Sequence, residues 1–169
     1  MDPLVEQLKK SSEAEAKRRD TESALRLLNA QIIGAKAPTF WDLVSSRVKA
    51  ICEELRQEFP NDNRFHLFMA AELRDGFFLN SRKLPRCILS AQLNIAAQRV
   101  DLSERIKHDL MDQAMPQYVS PIAIVVGDDN ELTFRFQGNS FDTPDELARA
   151  LVSYVIRFSK VTVTANVLF

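Results

Sequence analysis

The chain has 169 residues, enough for one domain with an appendage, and 46% of them are hydrophobic, enough to build a packed core. It carries 22 basic and 23 acidic residues, for a formal net charge of −1, and both signs are spread along its length. These totals exclude a wholly disordered chain, and the lack of a basic stripe or tail argues against a nucleic-acid partner.

The sequence also lacks the signals of a membrane or secreted protein. No stretch approaches the roughly 18 consecutive apolar residues of a membrane span, so we expect no membrane partner. The first residues do not show a basic segment followed by an apolar one, so we expect no signal peptide. Cys52 and Cys87 lie in apolar patterns without a CxxC spacing, and reduced, buried thiols of this kind predict a cytoplasmic protein.

The first predicted element is a helix over residues 3–35 whose middle is charged on all sides. Apolar residues return near its end at spacings of three and four, at Leu25, Leu28 and Ile32. A helix that is polar around its middle is poorly suited to a core. We therefore predict a charged helical arm over residues 1–38 and an α+β domain over residues 39–169.

Gly34 and Pro38 predict the end of this helix, and a second helix follows with an apolar stripe from Phe40 to Phe59. Trp41 falls off that stripe. Four apolar residues of the two helices thus have no predicted packing partner, because a short sheet does not extend far enough to bury them. They predict a homodimer interface made by Leu25, Leu28, Ile32 and Trp41.

A period of two then predicts strands over residues 65–73 and 77–82. Asp75 and Gly76 lie between them, and Asp-Gly is favoured in tight hairpin turns. Residues 87–97 also alternate as a strand does, although a helical pattern fits them too.

The next segments complete a predicted antiparallel sheet. Residues 101–115 give a narrow helical pattern and are left open. The continuous apolar run 121–126 predicts a strand covered on both faces, and 132–136 alternates as its hairpin partner. The acids between them predict a polar hairpin tip rather than a metal loop, because the spacing of an EF-hand is absent.

A final helix begins at Thr143, where the sequence TPDE forms a capping box. Its acids therefore start a helix and need no catalytic role. The fold predicted from all these elements is α+β: two N-terminal helices followed by a largely antiparallel sheet, with a C-terminal helix over 143–158 packed on one face.

The order of these elements, with Phe40-Trp41-Asp42-Leu43 opening the second helix and TPDELA the last, resembles that of small bacterial α+β proteins of unknown function. The resemblance covers most of the chain in the order of its elements and only short stretches in letters. It implies a bacterial cytosolic protein, and it implies no activity, cofactor or partner.

Two functions remain open. The acids and the cysteines each have a structural explanation in the pattern, and the two histidines stand alone, without partners at metal-ligand spacing. We expect no metal site and no cofactor, which favours a non-catalytic interaction or scaffolding subunit over an enzyme. The alternative is a small-molecule-binding or enzymatic domain that uses the polar face of the sheet. Its candidate ligand-binding residues are His66, Glu72, Gln92 and Asn94.

Overall fold

The computed structural model describes residues 2–73, 75–109, 111 and 113–165, with the side chains of 71–73 and 158–165 left out of the description. Within these residues the chain forms two α-helices, one 3₁₀ turn and seven strands. In chain order they are α1 (Pro3–Glu58), the 3₁₀ turn (Asn63–Phe65), β1 (Leu67–Leu73), β2 (Gly76–Ser81), β3 (Arg86–Asn94), β4 (Arg99–Lys107), β5 (Gln117–Val126), β6 (Leu132–Phe136), β7 (Asn139–Phe141) and α2 (Pro144–Ala165). The predicted α+β class is confirmed.

The N-terminal region is one continuous helix, α1, so the prediction of two helices is wrong. The helix runs through Gly34 and Pro38 without ending. A glycine costs an α-helix roughly 1 kcal/mol and an interior proline roughly 3 kcal/mol. Ile33 and Ala37 are fully buried beside these two residues, and the packing of this face against the domain offsets that cost.

The second part of α1 packs into the core through one stripe of side chains. Its buried members are Ile33, Ala37, Trp41, Val44, Val48 and Cys52. We call residues 33–58 the packed segment. Packing therefore begins at Ile33, a few residues before the start of the α+β domain expected from the sequence.

Trp41, expected at an interface between chains, is only 2% exposed and belongs to this core. Its indole stacks on Phe77 with ring centroids 5.4 Å apart. Its Nε1 donates a hydrogen bond to the Asp75 carbonyl oxygen at 3.0 Å. Because the side chain is already covered by its own chain, we leave Trp41 out of any surface for a partner.

The seven strands form one antiparallel sheet in which each strand pairs with the next along the chain. α1 touches strands far apart in this sheet: Trp41 stacks on Phe77 of β2, and Phe40 stacks on Phe134 of β6 with centroids 4.2 Å apart. Four strand spacings span roughly 19 Å in a flat sheet. The sheet therefore curls around α1, and its concave face forms the core.

The predicted strands are confirmed with some corrections. Residues 86–94 form β3, as the alternation favoured. In the segment 101–115, which the sequence left open, residues 101–107 belong to β4 and pair with β3 instead of following the narrow helical pattern. The run 121–126 lies in β5 but is covered on one face only, since Ala123 is exposed between buried Ile122 and Ile124.

The β1–β2 hairpin differs in detail from its prediction. Asp75 has a positive φ of 58°, as a tight turn requires, but Gly76 already belongs to β2, where it pairs with Leu73. A Cβ on Gly76 would lie 2.6 Å from the Ala91 carbonyl oxygen of the neighbouring strand. Glycine is needed here for a close approach of two backbones rather than for the turn.

α2 starts with the predicted cap and packs as expected. The Thr143 hydroxyl accepts a hydrogen bond from the Glu146 amide at 3.3 Å and donates one to the Glu146 carboxylate at 3.0 Å. Leu147, Leu151 and Val155 are fully buried against the sheet; the side chain of Phe158, predicted on the same face, lies outside the described residues.

Candidate interaction surface

The most exposed part of the molecule is the first part of α1. Every side chain from residue 2 to residue 28 is exposed, and we call residues 3–28 the exposed segment. At 1.5 Å per residue it extends roughly 39 Å beyond the packed part of the helix. Its start is capped by Asp2, whose Oδ1 accepts a hydrogen bond from the Leu4 amide at 2.8 Å.

Six large apolar side chains of this segment face solvent. They are Leu4, Val5, Leu8, Leu25, Leu27 and Leu28. Three of the residues predicted to form an interface lie at its end: Leu25 and Leu28 are 56% and 48% exposed, and Ile32 is half-buried against the core. Leu25 and Leu28 thus share one exposed helix face, and Ile32, which the spacing of three and four puts on the same side, is half-buried where that side reaches the core.

The charges of the exposed segment pair along the helix and leave its apolar residues uncovered. Three ion pairs stand four residues apart, with nitrogen to oxygen distances of 3.1, 3.3 and 2.6 Å: Lys10–Glu6, Arg18–Glu22 and Arg19–Glu15. Each exposed pair of this kind contributes roughly 0.3–0.5 kcal/mol to helix stability. They favour the helix without protecting its leucines from water.

The four candidate ligand-binding residues do not come together at one place. His66 lies just before β1, and its Nε2 is 3.0 Å from the Phe59 carbonyl oxygen near the end of α1. Gln92 lies near the opposite end of the sheet, opposite Gly76 in the β2–β3 register. The side chain of Glu72 lies outside the described residues.

Gln92 and Asn94 are neighbours on the convex face of β3, beside a shallow depression. Asn94 is held there by two hydrogen bonds: its Nδ2 donates to Asp101 at 2.8 Å, and its Oδ1 accepts from the Ala97 amide at 3.0 Å. These bonds fix the β3–β4 turn. Binding of a ligand by these residues stays a prediction.

The two thiols are poorly suited to nucleophilic chemistry. Cys52 lies in the packed segment and Cys87 on the concave face of β3, and both are buried. Burial raises the pKa of the Cys52 thiol to about 11. Burial, reinforced by the charge of Glu104, raises the pKa of the Cys87 thiol to about 12. Because the thiolate is the nucleophile, both groups are unreactive near neutral pH.

The acids at the start of α2 also have structural partners. Asp142 accepts a hydrogen bond from the Thr133 hydroxyl at 2.7 Å. Asp145 forms ion pairs with Arg47 of α1 at 2.5 Å and with Arg149 at 2.9 Å. The first pair joins the two helices, a role that the local sequence did not indicate.

A groove beside α1 escaped the sequence analysis. It has a volume of about 720 Å³ and lies between residues 35–43 of the helix and the β5–β6 loop. Lys36 closes one side, where its Nζ contacts Glu131 Oε1 at 2.6 Å and the Asn130 carbonyl oxygen at 2.9 Å. Lys36 is more than 90 positions from these two partners in the sequence, so no local pattern could have indicated the groove.

The described part of the chain shows neither a metal-binding cluster nor a membrane-spanning helix. No three His, Cys, Asp or Glu side chains there gather as a metal ion would require. Neither described helix has the combination of length and apolar character needed to cross a bilayer. No family model, curated protein or solved structure matches this chain.

Proposed function

We propose that this chain is a non-catalytic interaction or scaffolding subunit that self-associates through the exposed segment of α1. The observation that carries this proposal is that every side chain of residues 2–28 is exposed, with six large apolar side chains among them. An isolated helix is marginally stable in water, and most helix stability comes from packing of an apolar face. A second chain would supply that packing.

The chemistry of the other groups supports a binding role over an enzymatic one. Catalysis needs titratable groups that converge on a reacting atom with suitably shifted pKa values. Here the pKa values of Cys52 and Cys87 are shifted away from reactivity. His66 and Gln92 belong to opposite ends of the sheet, which weighs against the alternative of a small-molecule site on its polar face.

Two adjacent leucines offer a matched test of the interface. Leu28 lies on the face of Leu25 and Ile32, whereas Leu27 is turned about 100° away and is 68% exposed. We expect the full chain to have twice the mass of one chain in light scattering. Leu28→Asp should make it monomeric at the same concentration, and Leu27→Asp should leave the dimer intact.

The outcomes separate clearly. A monomeric wild-type chain at concentrations up to about 100 μM, where even a weak helical dimer forms, contradicts self-association. A dimer that both substitutions disrupt equally contradicts the assigned face. Circular dichroism melts serve as the folding control. Both variants should melt cooperatively near the wild-type temperature, as expected for substitutions outside the core.

A further inference from the structure

A seven-residue frame that runs from the exposed segment to Ile32 places Leu4, Leu25, Leu28 and Ile32 on one helix face, with mostly polar residues between Leu4 and Leu25. Written as a heptad abcdefg, with a and d forming the seam of a coiled coil, the pattern begins at Leu4 and continues to Ile32. The a positions are Leu4, Ser11, Arg18, Leu25 and Ile32, and the d positions are Gln7, Ala14, Thr21 and Leu28. Leucine at d with isoleucine at a is the combination that favours two strands.

The charges beside this seam are sorted by position. The g positions in the middle of the segment are basic, Lys10 and Lys17, and the e positions five residues later are acidic, Glu15 and Glu22. In a parallel pair of helices, each g side chain meets the e side chain of the following heptad on the partner. All four charges of each chain would then be opposite an opposite charge.

An antiparallel pair would reverse this complementarity. There e side chains face e and g side chains face g. Glu15 would meet the same residue of its partner near the centre of the overlap, and so would Lys17. Like charges at these positions disfavour that arrangement.

Apart from Ile32, which packs against the core, the seam points away from the rest of the chain. At 100° per residue, the face of Leu25, Leu28 and Ile32 lies roughly 150° from the buried stripe centred on Trp41 and Val44. Two chains can therefore pair along this face while their sheets lie on the outer sides of the pair.

The middle of the seam is weak, because Gln7, Ser11 and Thr21 are polar and Arg18 is charged. Arg18 is at an a position, where two copies would meet in a parallel pair. In the structure its Nε lies 3.3 Å from Glu22 Oε1 on the edge of the same helix, so the charge is directed out of the seam. A polar a residue of this kind costs stability and fixes the register.

We infer that residues 4–32 of two chains pair as a parallel, in-register coiled coil, with Lys10 and Lys17 of each chain opposite Glu15 and Glu22 of the other. The inference rests on the proposed self-association and adds its direction, register and charge pairing. The partner is thus a second copy of this chain, recognised by a seam that is apolar at its ends and by charges that complement themselves.

Disulfide cross-linking of the full chain tests the direction. Gln7 is at a d position, so two Gln7→Cys chains in parallel register bring their new thiols within disulfide range. In a full antiparallel overlap those thiols would be 18 residues, or roughly 27 Å, apart, and each would lie beside the partner's Leu25. The native thiols are buried and do not compete.

The matched control is Lys9→Cys, which is equally exposed but lies on the outer face of the seam. Under mild oxidation we expect more than half of the Gln7→Cys chains to form a covalent dimer, and less than a tenth of the Lys9→Cys chains. A chain that is dimeric by light scattering but cross-links only when Gln7→Cys and Leu25→Cys chains are mixed contradicts the direction alone. A monomeric chain contradicts the proposed function itself.

Charge reversal tests the pairing independently. Glu15→Lys together with Glu22→Lys should weaken a parallel dimer at least tenfold in Kd at low salt, since every flanking pair becomes repulsive. Adding Lys10→Glu and Lys17→Glu restores opposite charges and should recover most of that loss. A fourfold variant no tighter than the double variant overturns the assigned charge pairing.

Discussion

The two halves of α1 have the same backbone and opposite surroundings. In the packed segment, Val44 and Val48 are fully buried between the sheet and α2, whereas in the exposed segment Leu4 and Leu8 are each 62% exposed. The packed half is held by tertiary contacts, and the exposed half by ion pairs of a few tenths of a kcal/mol each. The exposed half therefore keeps large apolar side chains in contact with solvent, and this difference is the basis of the proposed self-association.

The largest effect is expected when one carboxylate is introduced into each half of α1 and the stabilities of the two variants are compared. Val44→Asp removes a buried side chain worth roughly 1.5–3 kcal/mol and leaves an unpaired charge in the core, so its total cost approaches the entire stability of a typical domain, roughly 5–15 kcal/mol. We expect this variant to lose its cooperative melting transition or to melt more than about 10 °C lower.

Leu25→Asp is the matched change in the exposed segment. It should abolish the dimer while the domain still melts cooperatively, because no core contact is lost. Circular dichroism melts of both variants at low protein concentration make the comparison. Equal destabilisation by the two substitutions would show that the exposed segment is part of the folding core, against the division described above.

The second test uses the pH dependence of the buried thiols. Folding raises the pKa of Cys52 to about 11 and that of Cys87 to about 12, both from an ordinary value of 9.0. Above pH 9 the unfolded chain loses these protons and the folded chain keeps them. Folding stability is therefore complete below pH 9 and falls as the pH rises, by roughly 1 kcal/mol for each thiol at pH 10.

Denaturant melts of the wild type and of a Cys52→Ala, Cys87→Ala variant at pH 8 and pH 10 measure this effect. The wild type should lose about 2 kcal/mol more than the variant between the two values. In the folded wild type, thiol reagents should react slowly at pH 8, whereas a cysteine at position 9, on the outer face of the exposed segment, should react at once. Fast labelling of the native thiols would contradict their burial.

Much of the fold was predictable because it depends on local patterns. The alternation in β3, the capping box at Thr143 and the apolar face of α2 each follow from residues near one another in sequence. The turn at Asp75 was also found, although its register was shifted by one residue. The sequence analysis assigned no strand order; in the structure, short connections let each strand pair with the next along the chain.

The failures have one common cause, which is tertiary contact. Gly34 and Pro38 predict a break that the packing of Ile33 and Ala37 overrides. Residues 101–107 have apolar residues at helical spacing, but they form a strand because β4 pairs with β3 and β5. Trp41 looked unpartnered because Phe77 and Asp75, its partners, are more than 30 positions away.

For the candidate surface, the sequence identified the residues but not the orientation of their face relative to the core. Leu25, Leu28 and Ile32 were identified by spacing alone. The longer heptad to which they belong lies within the helix predicted over residues 3–35, and the continuity of α1 adds the orientation of this face relative to the core. A break at Gly34 would have left the orientation of this face relative to the core undefined. Continuity through the junction is what allows the seam and the buried stripe to be compared.

The smallest expected effect lies at that junction, at Gly34. It is exposed inside a helix, and a Cβ built on it meets no atom within 4 Å. Gly34→Ala should therefore stabilise the chain by roughly 0.5–1 kcal/mol, since glycine loses more backbone freedom on folding than alanine does. For a chain of this size the melting temperature should rise by about 1–4 °C. Hydrogen exchange should slow in the exposed segment as well, because a stiffer junction joins its amides to the packed segment. Gly138→Ala is a suitable control. The φ of Gly138 is +78°, so the same change there should destabilise the chain.

A lower melting temperature for Gly34→Ala would mean that the two halves of α1 bend apart at this residue. The seam would then have no fixed orientation relative to the sheet.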